Sequence, residues 1–164
     1  DTTMVTFDNI PQTYNDLIIV ITARTTMANT HGYGGDVIME QNAVTSAGSY
    51  RNAALRFGSL TGGATQTSTA IGKATSGPSS AAGSYGAITC RLINYASTDQ
   101  HKAWQSYVTT YRGASGSQFI VNFVSGQKTD NTDAITRLDW SVYFSSRQDA
   151  DFVSGCTFRV YGVR

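Results

Sequence analysis

Residues 7–17 read Phe-Asp-Asn-Ile-Pro-Gln-Thr-Tyr-Asn-Asp-Leu and run directly into Ile18-Ile19-Val20-Ile21-Thr22-Ala23-Arg24. Proline disfavours the α region in the residue before it, so Ile10 is extended and the polar turn around Pro11 has a set direction. The turn delivers the chain into a run that is apolar at consecutive positions. A strand with both faces apolar is a central strand, covered on each side. Residues 17–24 are therefore expected to anchor a β-sandwich.

The rest of the composition agrees with sheet rather than helix. Lys73, Lys102 and Lys128 are the only lysines and Glu40 the only glutamate. These residue types fill exposed helix faces, whereas Thr, Tyr, Phe and Val suit a pleated surface. Polarity comes instead from Ser, Thr, Asn, Gln and Gly. At 164 residues the chain is expected to form one domain, residues 1–164, with a substantial core. Twelve Lys and Arg against eleven Asp and Glu leave a net charge of +1, and the arginines are spread along the chain. Nucleic acid as a partner is not expected, because phosphate binding needs clustered positive charge. No apolar stretch approaches the ~18 residues that span a bilayer, so no membrane partner is expected either. No signal peptide is expected, and with a start at Asp1 rather than methionine, removal of upstream residues is an open expectation.

Alternation predicts eight to ten strands and no helix. Residues 2–7 turn Val5 and Phe7 one way, as an N-terminal arm or edge strand. Residues 36–41 turn Val37 and Met39 together, and residues 53–57 turn Leu55 and Phe57 inward. Residues 87–94 place Ile88, Cys90 and Leu92 on one face, and residues 102–112 place Trp104, Ser106 and Val108 together. Residues 119–124 set Phe119, Val121 and Phe123 inward. Residues 134–144 group Leu138, Trp140, Val142 and Phe144, and residues 156–163 group Cys156, Phe158 and Val160. Between these, residues 58–86 are dominated by Gly, Ser, Thr and Ala, with few apolar anchors. They read as one long loop excursion with a short edge strand at 66–71. Uneven turns and the lack of repeats favour a two-sheet antiparallel sandwich, jelly-roll-like, over a closed barrel or propeller.

Nothing in the chain points to catalysis, and no enzyme activity is expected. His31 and His101 are seventy residues apart, neither has a ligand two to four residues on, and Asp99 two before His101 is a thin basis, so no metal is expected. Asp130, Asp133, Asp149 and Asp151 lack the alternating spacing of a calcium loop. No serine sits in Gly-x-Ser-x-Gly, since Gly113-Ala114-Ser115-Gly116-Ser117 has Ser117 at the second glycine position. No glycine-rich phosphate loop is present, and no cofactor is expected. Cys90 and Cys156 belong to no CxxC and read as two buried free thiols, with a disulfide open only if their strands are neighbours, since the Cα atoms must approach within ~7 Å. Trp104 and Trp140 share strand faces with apolar residues and read as core. Tyr33, Tyr50 and Tyr85 lie in or beside loops and are the candidates for contact with a partner protein or a glycan, with local packing as the other reading.

Residues 7–17 resemble the N-terminal signature of small virion structural proteins from tailed bacteriophages, including marine and cyanobacterial phages. Its pattern is Phe-x-x-Ile-Pro-x-x-Tyr-x-x-Leu followed by an apolar strand ending near Arg. Asn94-Tyr95-Ala96-Ser97-Thr98 followed by Lys102 resembles their mid-chain turn, and Tyr161-Gly162-Val163 their closing strand. The resemblance implies a jelly-roll-like sandwich serving as a capsid decoration (cement) protein. It would be bound to the major capsid protein on the virion exterior after synthesis in the host bacterial cytoplasm. A homotrimer is implied by the family alone. A tail, baseplate or fibre component, touching a receptor or glycan, is the alternative. On this reading residues 1–7, through Val5 and Phe7, add a strand to a capsid edge, and loops at 25–35 and 58–86 form a second contact.

Overall fold

A computed structural model describes residues 1–27, 35–45, 49–56, 59–66, 69–73, 83–112, 118–143 and 150–164. Eleven strands follow one another: β1 (Met4–Phe7), β2 (Asp16–Ala23), β3 (Asp36–Gln41), β4 (Tyr50–Arg56), β5 (Ser59–Gln66), β6 (Thr69–Lys73), β7 (Gly86–Ile93), β8 (Ala103–Arg112), β9 (Gln118–Lys128), β10 (Leu138–Tyr143) and β11 (Thr157–Val163). No helix occurs among the described residues. One sheet has the order β1-β10-β3-β6 and the other β11-β2-β7-β8-β9-β4-β5, with every pairing antiparallel. This is a two-sheet antiparallel β-sandwich. The chain switches sheets repeatedly, as jelly rolls do, and forms hairpins within the larger sheet at β4–β5 and β7–β8–β9.

The core lies between the sheets. Leu17, Ile19 and Ile21 of β2, Ile88, Cys90 and Leu92 of β7, and Trp104 and Val108 of β8 face Val37 and Met39 of β3 and Leu138, Trp140 and Val142 of β10. Their period of two is the pleat of a strand with one face turned to the core. β2 sits between β7 and β11 as a central strand. Its other face, Ile18, Val20 and Thr22, is only half-buried. Cys90 and Cys156 are both free, and burial pushes the Cys90 thiol up to about 12.

Two expectations change. The stretch 58–86 is more regular than its composition suggests, because β5 pairs along β4 and β6 along β3. Main-chain pairing to existing edges orders it, and Ile71 of β6 is fully buried as its apolar anchor. Residues 58, 67–68 and 74–82 of the stretch, and with them part of the edge strand expected at 66–71, lie outside the described residues. In β9 the facing is reversed: Asn122 and Val124 point inward, while Phe123 is 56% exposed and Val121 half-exposed. The cause is register, since Trp104 turns inward from β8 directly opposite Gly126 and so draws the even-numbered positions of β9 to the core. The side chains of Phe119 and Leu55, and residues 57 and 144, lie outside what is described.

Candidate functional site

The three segments that carry the family resemblance meet at one end of the sandwich. The Tyr95 hydroxyl donates to the Pro11 carbonyl, and the Ile135 N–H donates to the Tyr95 carbonyl at 2.8 Å. Gln12 Nε2 donates to the carbonyls of Ile10 (2.7 Å) and Ile135 (2.9 Å). Asp16, 6% exposed, receives the Arg91 guanidinium at 2.5 and 2.9 Å and the Asn94 N–H at 2.9 Å. Burial alone would raise the Asp16 carboxyl. The Asn94 N–H and the Arg91 charge outweigh it and hold the group below the usual carboxylate range. Asn94 adopts φ 52°, a left-handed conformation that asparagine tolerates better than most residues.

The closing segment joins the same corner. The Asn15 N–H donates to the Val163 carbonyl at 2.8 Å. The Tyr14 ring lies over Gly162, where a Cβ would come within 2.2 Å of it, and Arg164 stands 5.7 Å from that ring's centroid. Lys102 is fully buried. Its Nζ donates to the carbonyls of Ser97, Gln100 (2.7 Å) and Thr132 (2.9 Å), closing the loops before β8 and after β9 together. The Tyr95 hydroxyl, the Gln12 amide nitrogen, the Asp16 carboxylate and the Lys102 ammonium all bond within the chain. These bonds make the corner a joint that ties distant segments of the chain together.

The candidate contact residues fall in different places. Val5 and Phe7 are half-buried and pack against the core, Phe7 edge-on to Trp140 with centroids 5.3 Å apart. Of the two expectations for residues 1–7, residues 4–7 are an edge strand, paired to β10 from Met4 to Phe7. Tyr50 does not face a partner: it is fully buried and edge-on to Trp104 at 6.2 Å. Its hydroxyl accepts from the Gln41 N–H at 3.0 Å and donates to the Val44 carbonyl at 3.1 Å, so the polar tip of the ring is satisfied inside. Tyr85 is half-buried, donating to the Ser154 carbonyl at 2.9 Å. Tyr33 and His31 lie outside the described residues. His101 is exposed, and no cluster of metal-ligating side chains occurs among the described residues.

Sequence reasoning missed the outer face of the seven-stranded sheet. Register aligns Arg159, Val20, Thr89, Tyr107 and Phe123 in one row across five strands. The next row runs Tyr161, Ile18, Arg91, Gln105, Ser125 and Ala53. Tyr107 and Phe123 meet edge to face at 5.0 Å while remaining 45% and 56% exposed, and Tyr161 is 50% exposed. Among the described residues of this face the one carboxylate is Asp16, already held by Arg91. The face is thus aromatic, hydroxylated and weakly positive. The alternation of Tyr107 against Trp104 and Val108 signalled half of it. A second feature is an open cleft of about 250 Å³ between β1 and β11, lined by Val5, Phe152, Cys156 and Phe158.

Comparison with protein-family models, with curated proteins and with solved structures finds no match.

Proposed function

We propose that this chain is a structural protein of a tailed-phage virion that decorates the outside of the capsid shell and braces neighbouring capsomers. The observation that carries the reading is the convergence of the three resembling segments into one corner. Residues 10–16, 94–102 and 161–163 lie far apart in sequence, yet Tyr95 bonds Pro11, Asn94 bonds Asp16 and Gly162 receives Tyr14. Three unrelated coincidences of sequence have no reason to be mutual contacts, whereas a shared fold signature does.

The surface supports the same reading. The outer face of the seven-stranded sheet carries exposed aromatics among Thr, Ser and Gln, with few charges to desolvate on docking. Such a face suits seating against a large protein surface. Each copy makes modest contacts, and many copies together raise the barrier to rupture of the shell. The major capsid protein is the partner on this reading. Tyr107 and Phe123 are the residues expected to meet it, in place of the buried Tyr50.

The test is immunogold labelling of intact virions, followed by co-sedimentation of the purified protein with undecorated shells. Label over the whole head and saturable binding to shells are expected. Label confined to the tail would overturn the decoration reading and favour a tail or baseplate component.

A further inference from the structure

We infer that β11 is a docking edge for a second copy of this chain, forming a twofold pair in which the two β11 strands run antiparallel, centred on Val160. Among the described residues the two sheets have four edge strands, and three are blunted. β1 has four residues; the β3–β6 pairing shifts register at Val37/Ile38, and the β4–β5 pairing shifts at Asn52/Ala53. Short strands and bulges are the usual devices against edge pairing. β11 has neither. It pairs with β2 in unbroken register over all seven residues, and contains no proline, lysine or acid. Among the described residues no strand lies on its other side. An edge left regular and uncharged by acid or lysine is a template for another strand.

The side chains say which strand. An antiparallel pair about Val160 puts Arg159 of one copy opposite Tyr161 of the other, twice, on the exposed face. Both residues are exposed and on the same face of β11. A guanidinium over a tyrosine ring is attractive. Moving the centre to Arg159 would set the two arginines against each other, which is repulsive. Val160 meets Val160 on the inner face, and Phe158 comes opposite Gly162 and the Tyr14 ring that lies over it. The paired copies would form one continuous sheet with a shared aromatic outer face. This symmetry is twofold, where the family resemblance implies a threefold assembly.

The test is sedimentation equilibrium of the full chain over a wide concentration range. The expected mass is twice 17.6 kDa, falling toward 17.6 kDa on dilution. Tyr161→Lys sets a lysine against Arg159 and is expected to weaken association about tenfold or more, while Tyr161→Asp sets a carboxylate there and retains it. The double variant Arg159→Glu with Tyr161→Lys restores the pair. Because Tyr161 is half-exposed, circular dichroism is expected to show all variants folded. A mass of 17.6 kDa at every concentration, a threefold mass, or equal weakening by Lys and Asp would each overturn the proposal. Shell binding is read separately, so failure here leaves the decoration reading standing.

Discussion

Trp104 and Gly126 face each other directly across β8 and β9, and the indole occupies the space that a side chain at 126 would need. A Cβ there would come within 2.1 Å of Trp104 Cζ2 and 2.5 Å of the Arg51 carbonyl. The first is a large ring fully enclosed in the core and the second is main chain of the neighbouring strand, so neither yields cheaply. Gly126→Ala is expected to destabilise the fold by about 3 kcal/mol, the upper range for overpacking. Urea denaturation measures it, and a loss under ~0.5 kcal/mol would show that the indole repacks freely.

Acid sensitivity should trace to Asp16. Its carboxyl is held below its ordinary 3.8 in the folded protein, so the native state binds that proton less readily than the unfolded chain. The stabilisation is therefore fully present above the unfolded value and is lost as pH falls through the lower, folded one. Asp130 behaves in the same sense, with Lys128 overcoming the opposing effect of burial. Stability measured at pH 7 and at pH 3 should differ less in Asp16→Asn than in the parent. An unchanged difference would mean that Asp16 plays no part in acid unfolding.

The two thiols should react differently. Cys90 is fully buried with its thiol pushed up to about 12, whereas Cys156 is partly exposed and lines the cleft beside β1. Burial also raises Cys156, so its reaction is slow rather than absent. With a thiol-reactive dye at pH 8, one equivalent is expected in the native protein and two after unfolding. Rapid labelling of both in the native state would contradict the placement of Cys90.

What could be read in advance follows from how each feature is encoded. Ile88, Cys90 and Leu92 alternate with polar neighbours, so their inward face was legible, as were the core positions of Trp104 and Trp140. β9 was not, because Val121, Phe123 and Val124 give apolar residues to both faces and only the opposition of Gly126 to Trp104 decides between them. Tyr50 looked like a loop aromatic because the partners that let its hydroxyl be buried, Gln41 and Val44, are contacts formed only on folding. β5 is held by main-chain pairing to β4, which a Gly- and Thr-rich sequence does not advertise. The corner was visible as three motifs, but their mutual contact was not, since nothing local in 94–102 points to Pro11.

Lys102 offers the sharpest test of that corner. Its ammonium is fully buried and holds the carbonyls of Ser97, Gln100 and Thr132, which belong to two different loops. Lys102→Met keeps the length and the apolar stem while removing every donor. Ending the burial of a charge is a gain, and burial already weakens the hold of this group on its proton, aided by nearby Lys128. Leaving three carbonyls without a donor is a loss of about 1–3 kcal/mol each where they stay dry. The losses outweigh the gain, so a net destabilisation of about 2 kcal/mol is expected. Amide exchange should speed up at Lys128, whose N–H bonds the Lys102 carbonyl, and at Ile135, whose N–H bonds Tyr95. Exchange in β2 and β7, away from the two loops, should change only by the global loss. A variant as stable as the parent, with protected amides at 128 and 135, would show that the loops close without the ammonium.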